Sequence, residues 1–142
     1  MQPGVVPAGM PPQELVQWLR TNEIAGGDHP VLYVGNLPGE SRLVVGQLCD
    51  RWFWSAVAIL TAQPQCIRSL FQSTGQEEQG RYCVRIFKEA NWINVSVDNC
   101  LPCNVAGRAL FGRGEEAHEI WPMIVEKAFA KLHGCYENLM HG

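Results

Sequence analysis

From Asp50 to Thr61 the chain is apolar on almost every side, with Trp52, Phe53, Trp54, Ala56, Val57, Ala58, Ile59 and Leu60 nearly contiguous. Its three-turn length and its alanines predict a buried helix rather than a strand. Asp50, at its head, suits the unpaired backbone donors of a first turn, Pro64 ends it, and Cys66 to Phe71 predicts another helical turn or two. After the polar loop Gln72 to Gly80 come two alternating runs. In the first, Tyr82, Val84 and Ile86 oppose Cys83, Arg85 and Phe87; in the second, Ile93, Val95 and Val97 oppose Trp92, Asn94 and Ser96. The short connection Lys88 to Asn91 makes them an antiparallel hairpin with one face on the core. Further on, Ile120, Trp121, Ile124, Val125, Ala128, Phe129 and Leu132 recur at spacings of three and four. They predict a long amphipathic helix over Glu116 to Leu132, with Lys127 and Lys131 near its end and Gly134 beyond it.

The opening of the chain is less regular. Pro3, Pro7, Pro11 and Pro12 predict a flexible leader over residues 1–12, with the ordered domain running from 13 to 142. Leu15, Val16, Trp18 and Leu19 predict a short amphipathic helix from Pro12 to Arg20, closed off by Gly26-Gly27. Val31 to Val34 reads as extended, and Gly35, Pro38 and Gly39 as a turn-rich loop. Together these elements predict an α+β domain: a central buried helix, an antiparallel hairpin and a long covering helix.

Composition narrows the function without naming it. At 142 residues, 46% hydrophobic and 18% charged, the chain has the make-up of one globular domain. Its net charge is −3 and its eleven Lys and Arg are scattered, so no nucleic-acid footprint is expected. No apolar run reaches the roughly 20 residues of a membrane span, and no secretory signal opens the chain. An intracellular setting is therefore expected, with the six cysteines reduced. Cys100 and Cys103 form a Cys-x-x-Cys pair that could be half a zinc site or a redox pair, though no second pair follows. His29, His118 and His133 are isolated and suit surface or helix-end positions. Trp52, Trp54, Trp92 and Trp121 suit core and interface packing.

Three segments carry a family resemblance. Gly46-Gln47-Leu48-Cys49-Asp50-Arg51-Trp52-Phe53-Trp54-Ser55-Ala56 resembles the Gln-Gly-x-Leu-Gly-Asp-Cys-Trp-Phe-Leu-Ala-Ala nucleophile segment of calpains, a family of papain-like cysteine proteases. Trp92-Ile93-Asn94-Val95-Ser96-Val97-Asp98-Asn99-Cys100-Leu101-Pro102 is similar to the family's Trp-Val-x-Val-x-Val-Asp-Asp-x-Leu-Pro strand. Glu119 to Glu137 resembles its Glu-Phe-Trp-x-x-Leu-Leu-Glu-Lys-Ala-Tyr-Ala-Lys-x-x-Gly-x-Tyr-Glu segment. Order and spacing agree. The resemblance implies the first, mainly helical subdomain of a papain-like core, with the second subdomain absent.

That subdomain supplies the nucleophile of a protease whose His and Asn come from the second half. A cysteine there works as a thiolate, stabilised at a helix N-terminus. Under the resemblance Arg51 stands at the nucleophile position, and a guanidinium cannot attack a carbonyl. Val45 stands where the family has the oxyanion-stabilising Gln, and brings no donor. Cys49, two residues early where the family has glycine, is a candidate surrogate, but such a displacement far exceeds the roughly 0.5 Å tolerance of a catalytic site.

The family also binds calcium in this half. Glu119 matches one ligand, whereas the Asp ligand falls near Ser41 or Arg42, and an arginine repels a dication. Glu40 could compensate in a shifted loop, and Glu119 could equally be a first-turn carboxylate favoured by the helix dipole. Of the family's substrate-approaching Gly-Gly, His141-Gly142 keeps only Gly142. The expectation is a proteolytically inactive calpain-like half core that binds a protein or peptide. The alternative is a fragment of an active calcium-dependent endopeptidase.

Overall fold

The computed structural model describes residues 16–24, 26, 29–33 and 42–140. The leader, the loop around Gly35 and Glu40, and His141-Gly142 lie outside them. In chain order the described elements are β1 (Gln17–Arg20), β2 (Leu43–Val44), α1 (Arg51–Thr61), α2 (Pro64–Leu70), β3 (Phe71–Gln72), β4 (Arg81–Lys88), β5 (Asn91–Asp98), β6 (Cys100–Cys103), β7 (Arg113–Gly114) and α3 (Trp121–Leu132). The fold is α+β. Its strands form a three-stranded antiparallel sheet, β3-β4-β5, and two small ribbons, β1-β6 and β2-β7.

The hairpin follows the alternation. Lys88 pairs with Asn91 across a two-residue turn, in which Glu89 and Ala90 both take positive φ of 51° and 61°. That turn type twists in step with the strands. Val84, Val95 and Val97 face inward and meet Trp121, Ile124, Val125 and Ala128 of α3, with Phe53, Trp54 and Val57 of α1 closing the core. Each such side chain contributes about 1.5–3 kcal/mol by leaving water.

Four expectations are corrected. The stretch read as a helix from Pro12 to Arg20 holds, where described, the strand β1, which pairs with β6 in the register Gln17↔Cys103 to Arg20↔Cys100. Pairing with a distant strand outweighs a short apolar period that fits either element. The helix α1 is buried on one face only: Phe53, Trp54 and Val57 are inside, whereas Trp52 is 42% and Ile59 75% exposed. Asp50 stands before the first turn but makes no side-chain cap, because its carboxyl is buried and turned inward. Finally, α3 begins at Trp121 rather than Glu116, with Pro122 in its first turn where a missing N–H costs nothing.

As an outer strand of its sheet, β5 would present unpaired carbonyls to any passing strand. Here α3 covers them. Lys131 Nζ donates to the Ser96 carbonyl at 2.6 Å, and Lys127 Nζ donates to the carbonyls of Asp98 and Cys100 and to the Asp98 carboxylate. Residues 96, 98 and 100 alternate, so their carbonyls point the same way. Two lysines one helical turn apart therefore close that edge. Partial burial is the largest single influence on the Asp98 carboxyl and raises it, but the Lys127 bond, the Cys100 N–H and the Lys127 and Arg20 charges together hold it below its usual range.

Candidate functional site

The head of α1 is built from both neighbours. Leading into it, Gly46 passes so close to Phe111 that a Cβ would lie 2.2 Å from the Phe111 backbone, and Gln47 N–H donates to Leu110 O at 2.9 Å. Val45, Gln47, Cys49 and Arg51 are exposed, while Leu48 and Asp50 are buried. Alternation thus turns one set of side chains out and anchors the other. The helix starts with Phe53 N–H and Trp54 N–H on Asp50 O, at 3.0 and 3.3 Å.

Arg51 is the first residue of α1 and projects to solvent, where its backbone carbonyl receives the Ser55 hydroxyl at 2.8 Å. Cys49 has a positive φ of 62°, a conformation that costs an L-residue roughly 1–2 kcal/mol and glycine nothing. Its thiol contacts Gln47 O at 3.6 Å. Trp52 donates its indole N–H to Leu139 O at 2.8 Å and packs edge-on against Phe129. Beside it lies an apolar groove of about 400 Å³ lined by Trp52, Ala56, Leu60, Ile86 and Phe129 among others. At the hairpin end of that groove, Trp92 and Phe87 are exposed, with the Arg85 guanidinium 4.7 Å from the Trp92 ring centre.

Glu119 is fully buried and precedes α3 by two residues, just outside its first turn. Its backbone bridges to Val31. Among the described residues no three His, Cys, Asp or Glu side chains converge as a metal site, and Arg42 is exposed with its positive charge. The loop in which the resemblance places the other calcium ligands, with Glu40 and Ser41, lies outside the described residues. Cys100 and Cys103 sit three apart on a strand, on opposite faces, and burial pushes the Cys103 thiol up to about 11. That geometry suits neither a metal half-site nor a redox pair. No helix among the described residues is long and apolar enough to cross a membrane.

Sequence reasoning missed the groups beneath the helix head. Trp54 Nε1 donates to Glu126 Oε1 at 3.1 Å, and Gly112 N–H donates to the same oxygen at 3.3 Å. Glycine is required at 112, because a Cβ there would lie 1.9 Å from the Trp54 ring. Asp50 and Glu126 are 0% and 1% exposed. Burial, followed by the neighbouring Asp50 charge, holds the Glu126 carboxyl well above its ordinary range. Burial also raises Asp50, against a hydrogen bond from Glu126 that works the other way. Glu126 falls off the apolar stripe that the sequence predicts for α3, so its spacing gave no signal of burial.

The family model for calpain family cysteine proteases matches residues 6–142. The chain is 37% identical over 134 residues to the calpain-type cysteine protease ADL1 of Oryza sativa subsp. japonica, covering 92% of this chain and 6% of that protein. It is 35% identical over 135 residues to calpain-10 of Rattus norvegicus, covering 92% and 20%. Against calpain-A of Drosophila melanogaster it is 34% identical over 136 residues, covering 92% and 16%. The chain thus spans a fifth or less of the length of these relatives. With the α+β fold, the three motifs in order and a match along nearly its whole length, this chain belongs to the calpain family of cysteine proteases.

Proposed function

We propose that this chain is the first half of a calpain-type core that has lost proteolytic chemistry and binds a protein or peptide partner. The observation that carries the reading is Arg51, an exposed cation on the first residue of α1, where the family resemblance places the nucleophile. A helix N-terminus favours a thiolate and disfavours a cation, so the substitution opposes the family's chemistry twice, in charge and in nucleophilicity. Val45 offers no donor to an oxyanion. Cys49 turns its thiol back toward the Gln47 carbonyl, one step outside the helix.

Support for binding comes from the apolar groove beside Trp52 and from the exposed apolar side of α1. Contiguous apolar surface of this kind marks interaction sites. The same proposal places the chain inside the cell, which the six unpaired thiols support. The short span relative to its relatives supports a second reading, a fragment of a longer endopeptidase whose His and Asn lie outside these 142 residues.

A library of fluorescently labelled peptides screened by fluorescence anisotropy tests the first reading. Saturable binding by wild type, weakened at least tenfold by Trp52→Ala, is the expected outcome. Absence of binding in every class of peptide, or calcium-dependent hydrolysis abolished by Cys49→Ala, overturns it.

A further inference from the structure

We propose that Asp50 and Glu126 hold one proton between them, and that this buried carboxyl pair fixes the turn from which Arg51 projects. Neither oxygen of Asp50 completes a hydrogen bond of ordinary geometry, although the residue is fully buried and its own N–H and the Trp54 indole lie near. Buried polar groups without a partner are costly and rare. The group that faces them is the Glu126 carboxyl. Two carboxyls can bond only if one is protonated, and like charges at that separation resist joint ionisation.

The donor arrangement shows which oxygen faces the shared proton. Trp54 Nε1 and Gly112 N–H both converge on Glu126 Oε1. That leaves Oε2 to share the hydrogen with Asp50. Two N–H donors aimed at one carboxyl oxygen also argue against a metal ion between the acids, since a cation would face the wrong end of both dipoles. The cavity that adjoins Glu126, beside Tyr136 and Gly112, is only about 10 Å³, the space of a single water at most.

Among the described residues no cation is seen to offset the pair. Lys127 is the next residue of α3 but is spent on Asp98 and the β5 carbonyls. Tyr136, which packs beside Glu126, is not positive either and is itself pushed well above its usual range by burial and then by Glu126. Arg51 points to solvent. The mechanical result is a clamp. Asp50 O holds the first N–H groups of α1, the shared proton joins Asp50 to Glu126 of α3, and Trp54 reaches from the first turn of α1 to the same Glu126 carboxyl. Asp50 and Glu126 are positioning residues for position 51, not reacting groups.

The linkage has a definite sign. Carboxyls whose folded values lie above their unfolded ones bind more protons when folded, so stability is greatest at low pH and declines as pH rises above about 4 toward the folded values. Infrared difference spectroscopy of the intact chain near neutral pH reads the proton directly. A protonated-carboxyl stretch is expected in wild type, lost in Glu126→Gln, whose amide keeps the same bonds, and retained in Glu116→Gln, an exposed control. Asp50→Asn, which removes the charge that opposes ionisation, is expected to lose or strongly diminish the same band if Glu126→Gln does not fold. Thermal midpoints of Glu126→Gln are expected to lose most of the wild-type decline between about pH 5 and 8. A neutral-pH spectrum without a protonated carboxyl, or a band that survives in both Glu126→Gln and Asp50→Asn, overturns the proposal.

Discussion

The two long helices, α1 and α3, exchange the roles their compositions suggest. The segment forming α1 is almost entirely apolar, yet only Phe53, Trp54 and Val57 are buried along it. The segment forming α3 carries Glu126, Lys127 and Lys131, yet nine of its twelve residues are buried, Glu126 and Lys127 among them. Burial of the charged pair is possible because each finds partners that a solvent face would not supply. Lys127 spends its donors on the β5 edge, and Glu126 accepts from Trp54 and Gly112. Exposure of α1 has a different origin. Its outward side has nothing to pack against among the described residues, and an all-apolar helix left half covered is the mark of a surface that meets something else.

The same substitution on each helix breaks the comparison most sharply. Ile124→Asp, at a position with no exposure, is expected to cost about 4 kcal/mol or to prevent folding, as an unpaired charge enters the core. Ile59→Asp, at 75% exposure, is expected to move stability by less than about 0.5 kcal/mol. Urea unfolding of the two variants reads the difference, and equal costs would mean that α1 is covered in solution. Next in size is Lys127→Met, which keeps the stem of α3's inward lysine but strips the donors from Asp98 and Cys100. A loss of about 2 kcal/mol is expected by the same measurement, with faster amide exchange along β5.

The smallest effect sharpens the head of α1. Cys49→Gly is expected to stabilise the chain by about 1 kcal/mol, because the positive φ of 62° strains cysteine and not glycine. A destabilised glycine variant would show that the thiol contributes more than its contact with Gln47 O suggests.

How legible these features were depends on whether the deciding partner was local. The hairpin was readable because alternation along Arg81–Lys88 and Asn91–Asp98 is a property of each run alone, and the two-residue turn fixes the register. The strand at Gln17–Arg20 was not readable, because its partner Cys100–Cys103 lies some eighty residues away and the period of four residues fits helix and strand alike. Arg51 and Val45 were found by resemblance, and the structure adds only that both are exposed. The carboxyl pair was invisible in the sequence: Asp50 read as suited to the first turn's donors, Glu126 carried no reading of its own, and only the packing of α1 on α3 brings them together. Calcium could not be read from Glu119 alone, since its burial and its surroundings depend on segments distant in the chain.

The central claim is that the head of α1 no longer carries a protease nucleophile. Intact-mass and peptide-mapping analysis after treatment with a peptide-based, thiol-directed active-site label, with and without calcium, tests it most directly. The account predicts that Cys49 reacts no faster than the half-exposed thiols of Cys66, Cys100 and Cys135 and that calcium changes nothing. A rapid, calcium-dependent and peptide-directed adduct confined to Cys49 would contradict it.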